Sequence, residues 1–381
     1  MFRAFRLIAN MLRPRVFLSS LCVVIVLFSF LQLVAYLYAP DYAPNLMNMF
    51  RSRDETVADL FEETVEGVFV FGDSTVSAGD FAATPYPYGL DWKNGPGGRF
   101  SNRYTIADCF ATKVGTHISQ PFNTFGKDAK VDDAGINFGT GGCGLLDKTR
   151  PPSRYWQCSS ASEQKSQMIN LDLNKTRIEK AVFLVSMAGN DFIFSYLNKR
   201  QVVHKFFYLY LLSDAKEFAQ ELGVEMKGLL ETLYTFGARK FVVNNVGPVG
   251  CIPNLRHSFK MMTCNVQLNE DVKMYNNHLK AVLRDFANMF VESKVVLADS
   301  YGVLSLILDD PAKYGFKNVS HACCGKWSKE TNMFECNNST EICGDRKAYL
   351  FFDGAHTTDQ ANKVFADNCL SGKVCSRVGK H

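Results

Sequence analysis

No Gly-x-Ser-x-Gly occurs in the chain, so the strained serine elbow of the α/β-hydrolases is absent. His-Glu-x-x-His and the Walker loop are missing too, which removes the usual zinc-protease and nucleotide-phosphate signatures. His117, His204, His257, His278, His321 and His381 show no metal-ligand spacing, and structural or surface roles are the default for each. No dense basic block lies outside the N-terminus, which argues against nucleic acid as a partner. Internal repeats and low-complexity segments are also lacking. A charged fraction of 21% beside 13% aromatics argues against disorder.

What is present suits a sizeable core: 47% of the 381 residues are hydrophobic. The formal charge of +4 is placed unevenly, with Arg3, Arg6, Arg13 and Arg15 preceding any acidic residue. Set those aside, and the remaining Lys and Arg equal the 38 Asp and Glu. Val16 to Ala39 is an apolar run broken only by Ser19, Ser20, Ser29 and Gln32. About 20 apolar residues span a bilayer as a helix. The arginines before the run keep the N-terminus cytoplasmic, and Ala39-Pro40 is a poor cleavage site. The expectation is a basic cytoplasmic tail over 1–15, a transmembrane signal anchor over 16–39, a Pro-containing stalk over 40–65 and a folded domain over 66–381. That makes a single-pass protein of the secretory pathway or cell surface, its membrane contact made by the N-terminal helix. The alternative is a long cleaved signal and a secreted product.

Eleven of the 12 cysteines follow the apolar run and read as disulfides in an oxidising lumen. The number is odd, so one thiol is free or paired between chains, and spacing leaves the connectivity open. Zinc at Cys323, Cys324, Cys336 and Cys343 is the weaker reading, because the cluster lacks CxxC pairs and has only His321 nearby. Glycosylation sequons begin at Asn174, Asn318, Asn337 and Asn338. The last two overlap, so Asn174, Asn318 and Asn338 are the candidate sites.

Short apolar runs alternate with helical patterns. Strands are expected at Val68–Phe71, Gly135–Phe138, Ala181–Val185, Lys240–Asn244 and Lys294–Leu297. Helices are expected at 105–114, from an N-cap at Ser213 to about Phe236, at 265–290 and at 358–369. Continuous rather than alternating strand runs indicate a parallel sheet covered on both faces, with sites at the carboxyl ends of its strands.

Four stretches at such ends could carry chemistry. Gly72-Asp-Ser-Thr75 follows the first strand, where Ser74 could act as a nucleophile beside backbone N–H donors. As a lone tetrapeptide it reads first as a turn or helix cap. Asp353-Gly-Ala-His356 follows an apolar run, and its spacing of three lets one turn present a base and the carboxylate that orients it. Asn190 in Gly189-Asn-Asp191 could donate its amide to an oxyanion, or be a turn residue. Gly139-Thr-Gly-Gly-Cys-Gly144 matches GxGxxG, but the nearest candidate for the acidic ribose partner, Glu163, lies in a polar helix-like stretch. A glycine loop supplying an N–H at Gly141 suits the position better.

Together these stretches resemble the GDSL-type lipase/esterase family of SGNH hydrolases, closest to its plant-type branch. The matching blocks are Val68-Phe-Val-Phe-Gly-Asp-Ser74, Asn137-Phe-Gly-Thr-Gly-Gly142, Gly189-Asn-Asp191 and Phe352-Asp-Gly-Ala-His356. Gly98-Arg-Phe-Ser-Asn102, Val246-Gly-Pro-Val-Gly-Cys251 and Ala322-Cys-Cys-Gly325 match between them, so the likeness covers about 66–370. The resemblance implies a three-layer α/β/α sandwich around a five-stranded parallel sheet. It implies Ser74 as nucleophile, His356 as base, Asp353 as its orienter, and an oxyanion hole from the Ser74 and Gly141 N–H groups with the Asn190 side chain. The chain departs from the family in having Thr75 for Leu, Ala188 for the first glycine of Gly-x-Asn-Asp, and Thr357 for the Pro after the histidine. The implied activity is hydrolysis of an acyl ester of a lipid or glycan through an acyl-enzyme, with no metal or organic cofactor. An O-acyltransferase, or a silent binding protein of the same fold, are the alternatives.

Overall fold

The computed structural model describes residues 65–79, 85–92, 97–124, 135–151, 157–197, 210–372 and 374–379. All belong to the second of two compact units, Met1–Glu55 and Thr56–His381. The expected tail, anchor and nearly all of the stalk lie outside the described residues. Among the described residues no helix is long and apolar enough to cross a membrane.

The strands are β1 Val68–Gly72, β2 Gln120–Pro121, β3 Ile136–Asn137, β4 Val182–Ser186, β5 Lys240–Asn244, β6 Lys294–Ala298, β7 Asn318–Ala322, β8 Lys326–Ser328, β9 Met333–Glu335, β10 Tyr349–Phe351 and β11 Ser376–Val378. Seven of them form the central sheet in the order β11-β6-β5-β4-β1-β3-β2. The five expected strands are its parallel interior. The five-stranded expectation is corrected at both edges: β2 adds a parallel pair of residues and β11 adds an antiparallel strand on β6. Neither edge leaves an apolar run long enough to see, since β2 is Gln-Pro and β11 is Ser-Arg-Val.

Every residue of β1, β4 and β5 is buried, so both faces of the sheet are covered. Phe69, Phe183 and Phe241 lie in register across β1, β4 and β5. Phe286 meets Phe241 edge-on at 5.4 Å. Fully burying each such ring contributes about 1.5–3 kcal/mol. The main helices are α1 Ile106–Lys113, α2 Ala161–Ile169, α3 Lys175–Lys180, α4 Tyr210–Thr235, α5 Pro253–Ser258, α6 Val266–Met289, α7 Ser300–Asp309 and α8 Asp359–Leu370. They pack in two sets: α2 and α6 against α4, and α1 and α7 against α8. Asn265 caps α6 through Leu268 N, and Thr358 caps α8 through Ala361 N. Ser213 is not the N-cap of its helix, because the helix already runs from Tyr210.

Five disulfides close local loops: Cys143–Cys158, Cys251–Cys264, Cys323–Cys343, Cys324–Cys336 and Cys369–Cys375. The Cys323–Cys343 cluster is thus two disulfides, which removes the zinc reading. Cys109 is the free thiol among the described residues, and burial raises its pKa far above the ordinary thiol range.

Candidate active site

The chain leaves β1 through a tight turn that carries Ser74. Asp73 N bonds Ser186 O of β4 at 3.1 Å, and Ser77 N returns to Asp73 O at 3.0 Å. Gly72 has no room for a side chain: a Cβ there would stand 2.1 Å from Val76 Cγ2 and 2.7 Å from Ser186 O. Gln164 of α2, fully buried, reads both backbone groups of Gly72, each at 2.9 Å. Asn137 Nδ2 donates to Val76 O at 2.7 Å, tying β3 to the same turn.

Strand β10 pairs with β7 outside the central sheet and delivers the second turn. Phe352 N bonds His356 O at 2.8 Å, closing the loop over Asp353. Asp353 Oδ1 accepts from the backbone N–H of Ala355 and of His356 at 2.8 and 2.7 Å. Its Oδ2 faces His356 Nδ1 at 2.7 Å. On the far side of the ring, Nε2 lies 2.7 Å from Ser74 Oγ. Gly354 is held against α5, where Asn254 N donates to its carbonyl at 2.8 Å and a Cβ would stand 2.0 Å from Asn254 Oδ1.

Burial alone would raise the Asp353 carboxyl pKa, but the charge and hydrogen bond of His356 outweigh it and hold the group below its usual range. Burial lowers the His356 pKa, and the Asp353 charge and bond outweigh that in turn, so the imidazole is raised. Asp73 is also buried. Desolvation lifts its pKa although Thr75 bonds its carboxylate from both N and Oγ1. Thr75, at the family's leucine position, spends its hydroxyl on that carboxylate and on Ser186 Oγ at 3.2 Å.

Among the described residues after Phe138, 139–151 and 157–160 are irregular, so the glycines do not open directly into a helix N-terminus as a pyrophosphate site would require. Glu163 caps α2 and pairs with Arg150 instead of serving a ribose. Thr140 N bonds Gly72 O at 3.1 Å, which sets Gly141 beside the Ser74 turn. A Cβ at Gly141 would stand 2.5 Å from the Phe100 ring, and that ring lies 5.0 Å from the His356 ring. Asn190 is buried and donates Nδ2 to Cys143 O at 2.9 Å, which uses one of its two amide hydrogens. Asp191 grips the loop: it accepts from Leu145 N at 2.8 Å, Leu146 N at 3.0 Å and Thr149 Oγ1 at 2.6 Å. Its carboxylate fills the space a Cβ on Gly144 would need.

Ala188 takes a φ of 86°, the left-handed region, two residues before Asn190. An L side chain there costs about 1–2 kcal/mol relative to glycine. Ala188→Gly is therefore expected to stabilise the fold by about 1 kcal/mol in urea unfolding. An unchanged or lower midpoint would mean that the buried methyl contributes more packing than the strain removes.

Sequence reasoning missed Tyr88, Phe100 and Gln164 as parts of the site. Tyr88 OH donates to Asp353 Oδ2 at 2.6 Å from 265 residues away. In the apolar segment beginning at Phe192, Phe192 and Tyr196 are buried against Phe218, and residues 193–195 are half-buried. Residues 198–209 lie outside the described residues. Among the sequons, Asn174 is exposed but caps α3, Asn318 is half-buried, and Asn338 is exposed. Its neighbour Asn337 has its Oδ1 taken by Ser339 N and Oγ.

A family model described as GDSL-like Lipase/Acylhydrolase matches residues 68–369. A GDSL esterase/lipase of Arabidopsis thaliana is 26% identical over 330 residues, covering 81% of this chain and 89% of that protein. A second from the same plant is 32% identical over 333 residues, with coverage of 81% and 89%. Among solved structures, a lipase from a goat rumen metagenome covers 82% of this chain and 98% of its own at 13% identity, with a TM-score of 0.39.

Proposed function

The chain belongs to the GDSL-like lipase/acylhydrolase family and is an ester-bond hydrolase, and from that premise we propose that it works through an acyl-enzyme on Ser74, acting on an acyl ester of a lipid or glycan. The observation that carries this reading is the unbroken relay from Asp353 Oδ2 through His356 to Ser74 Oγ, with 2.7 Å at each contact.

In that reading His356 Nε2 takes the Ser74 proton as Oγ bonds to the ester carbonyl carbon. The carbonyl oxygen becomes an oxyanion, met by the Ser74 and Gly141 N–H groups and the second Asn190 amide hydrogen. The C–O bond to the alcohol then breaks, and His356 passes its proton to the leaving oxygen. Water, deprotonated by His356, attacks the acyl carbon; the carboxylic acid leaves and Ser74 regains its proton. Asp353 keeps Nδ1 protonated and stabilises the imidazolium. The test is covalent labelling with a fluorophosphonate: peptide mapping is expected to find the adduct on Ser74, and an adduct elsewhere or none would sink the reading.

The pH dependence follows from His356, which must be neutral to accept the proton. Its pKa is raised above the ordinary imidazole value of about 6.5. Activity is therefore expected to be full on the alkaline side and lost as pH falls through a limb above about 6.5. An acid limb in the carboxylate range, read from kcat/KM, would point to another base.

The apolar run over 16–39 supports a signal anchor, with 1–15 cytoplasmic, 40–65 a stalk and the hydrolase domain over 66–381 outside the cytosol. The disulfides fit such an oxidising compartment. Asn338 is the most accessible of the candidate glycosylation sites near the C-terminus.

A further inference from the structure

Four donors surround the Asp353 carboxylate. Three come from its own turn: the N–H groups of Ala355 and His356 on Oδ1, and His356 Nδ1 on Oδ2. The fourth is Tyr88 OH, 2.6 Å from Oδ2. Two N–H bonds hold Oδ1, but they act at one end of the carboxylate only, and a small swing about the Cβ–Cγ bond moves both oxygens and takes Oδ2 off line. His356 cannot stop that swing, because it is the group being oriented. We propose that Tyr88 is a positioning residue for the ester hydrolysis: its hydroxyl pins Oδ2 in line with His356 Nδ1 and acts on the rate through Asp353 and His356. This rests on the reading of His356 as the base.

Tyr88 is built to hold that position. Its ring stands edge-on to Phe100 at 5.8 Å and to Phe352 at 5.5 Å, the latter being the residue before Asp353. Its backbone is tied down on both sides, by Tyr88 N to Pro85 O at 3.2 Å and Gly89 N to Ser101 O at 2.8 Å. Asp91 N bonds Asn102 O at 3.0 Å, and Asn102 Oδ1 accepts from Asp359 N at 2.9 Å. The segment bearing Tyr88 and the chain just after His356 thus share one anchor. Burial and the Asp353 charge push the phenol well above its ordinary range, so the hydroxyl stays a donor wherever the enzyme works. The ionisable groups acting on His356 are Asp353 and Asp73, and Tyr88 reaches it only through Asp353.

The test is Tyr88→Phe beside Ser74→Ala, with hydrolysis of a short p-nitrophenyl ester followed across pH and melting temperature recorded for each. Phenylalanine keeps the ring contacts and deletes the one hydroxyl. The expected result is kcat down by about tenfold, the scale of losing a hydrogen bond to a charged group, with KM within about twofold. The acid limb moves to higher pH: Oδ2, relieved of one donor, accepts more strongly from the imidazolium and raises the His356 pKa. A purely structural tyrosine would lower the melting temperature and leave kcat and the limb unmoved, and that result overturns the proposal while Ser74→Ala remains dead. Wild-type activity in Ser74→Ala would overturn the underlying reading, and this proposal with it.

Discussion

Ser74→Ala is expected to lower kcat on a short activated ester by about 10⁵–10⁶-fold while leaving the protein folded. The hydroxyl is 2.7 Å from His356 Nε2, and without it the imidazole has no proton to take and the ester no oxygen to bond. What survives is the contribution of the oxyanion donors and of binding, about 10³–10⁴ over water. Folding is spared because the turn is held by other groups. Gln164 on Gly72, Asn137 on Val76 O and the Asp73 bonds to Thr75 all remain. Pre-steady-state kinetics with substrate in excess should also lose any burst of released alcohol. A mutant within about tenfold of the wild type, folded by circular dichroism, would require a nucleophile other than Ser74.

The parallel interior of the sheet was open to reading because its strands are buried on both faces, which writes them as unbroken runs such as Val68-Phe-Val-Phe71 and Phe241-Val-Val243. The edges β2 and β11 were not, since pairing on one side only leaves no apolar run. The start of α4 was misplaced for a related reason. Ser213 has the chemistry of a cap, but the residues from Tyr210 are equally able to continue a helix, and a local signal cannot choose between them. The disulfides were expected as a class, but their partners were not. Adjacent Cys323 and Cys324 have separate partners, and only the fold brings Cys343 to one and Cys336 to the other.

The site divides along the same line. Ser74, Asp353 and His356 stand at the ends of apolar runs, where a candidate turn is visible one motif at a time. Asp353 and His356 also share a turn, so their contact is local. The residues that hold this machinery act across long separations and leave no local trace. Gln164 lies 92 residues from Gly72, and Tyr88 lies 265 from Asp353. A buried glutamine in an amphipathic helix reads as an ordinary polar position until the strand end beside it is seen. Asp191 shows the opposite case. It stands next to Asn190 in the same short motif, but its own task, clamping Leu145, Leu146 and Thr149, is visible only in three dimensions.

Asp353→Asn is expected to lower kcat by about 10⁴-fold, with little effect on KM. The carboxylate meets four donors, two on each oxygen. An asparagine has one oxygen and one NH₂, so two of those donors must face another donor. If the oxygen stays with the N–H groups of Ala355 and His356, the NH₂ faces Tyr88 OH and His356 Nδ1. The tyrosine can rotate its hydrogen away, but the imidazole must then accept at Nδ1 and carry its proton on Nε2. That proton points at Ser74 Oγ, and a base already protonated there cannot take another. The opposite flip breaks two backbone bonds and loosens the 353–356 turn. Either way the lost charge lowers the His356 pKa, because Asp353 is the main group raising it. The residual activity should therefore persist to lower pH than in the wild type. A pH–rate profile of the mutant reads both effects, and a fall of less than about tenfold with an unmoved acid limb would show that Asp353 does not set the tautomer.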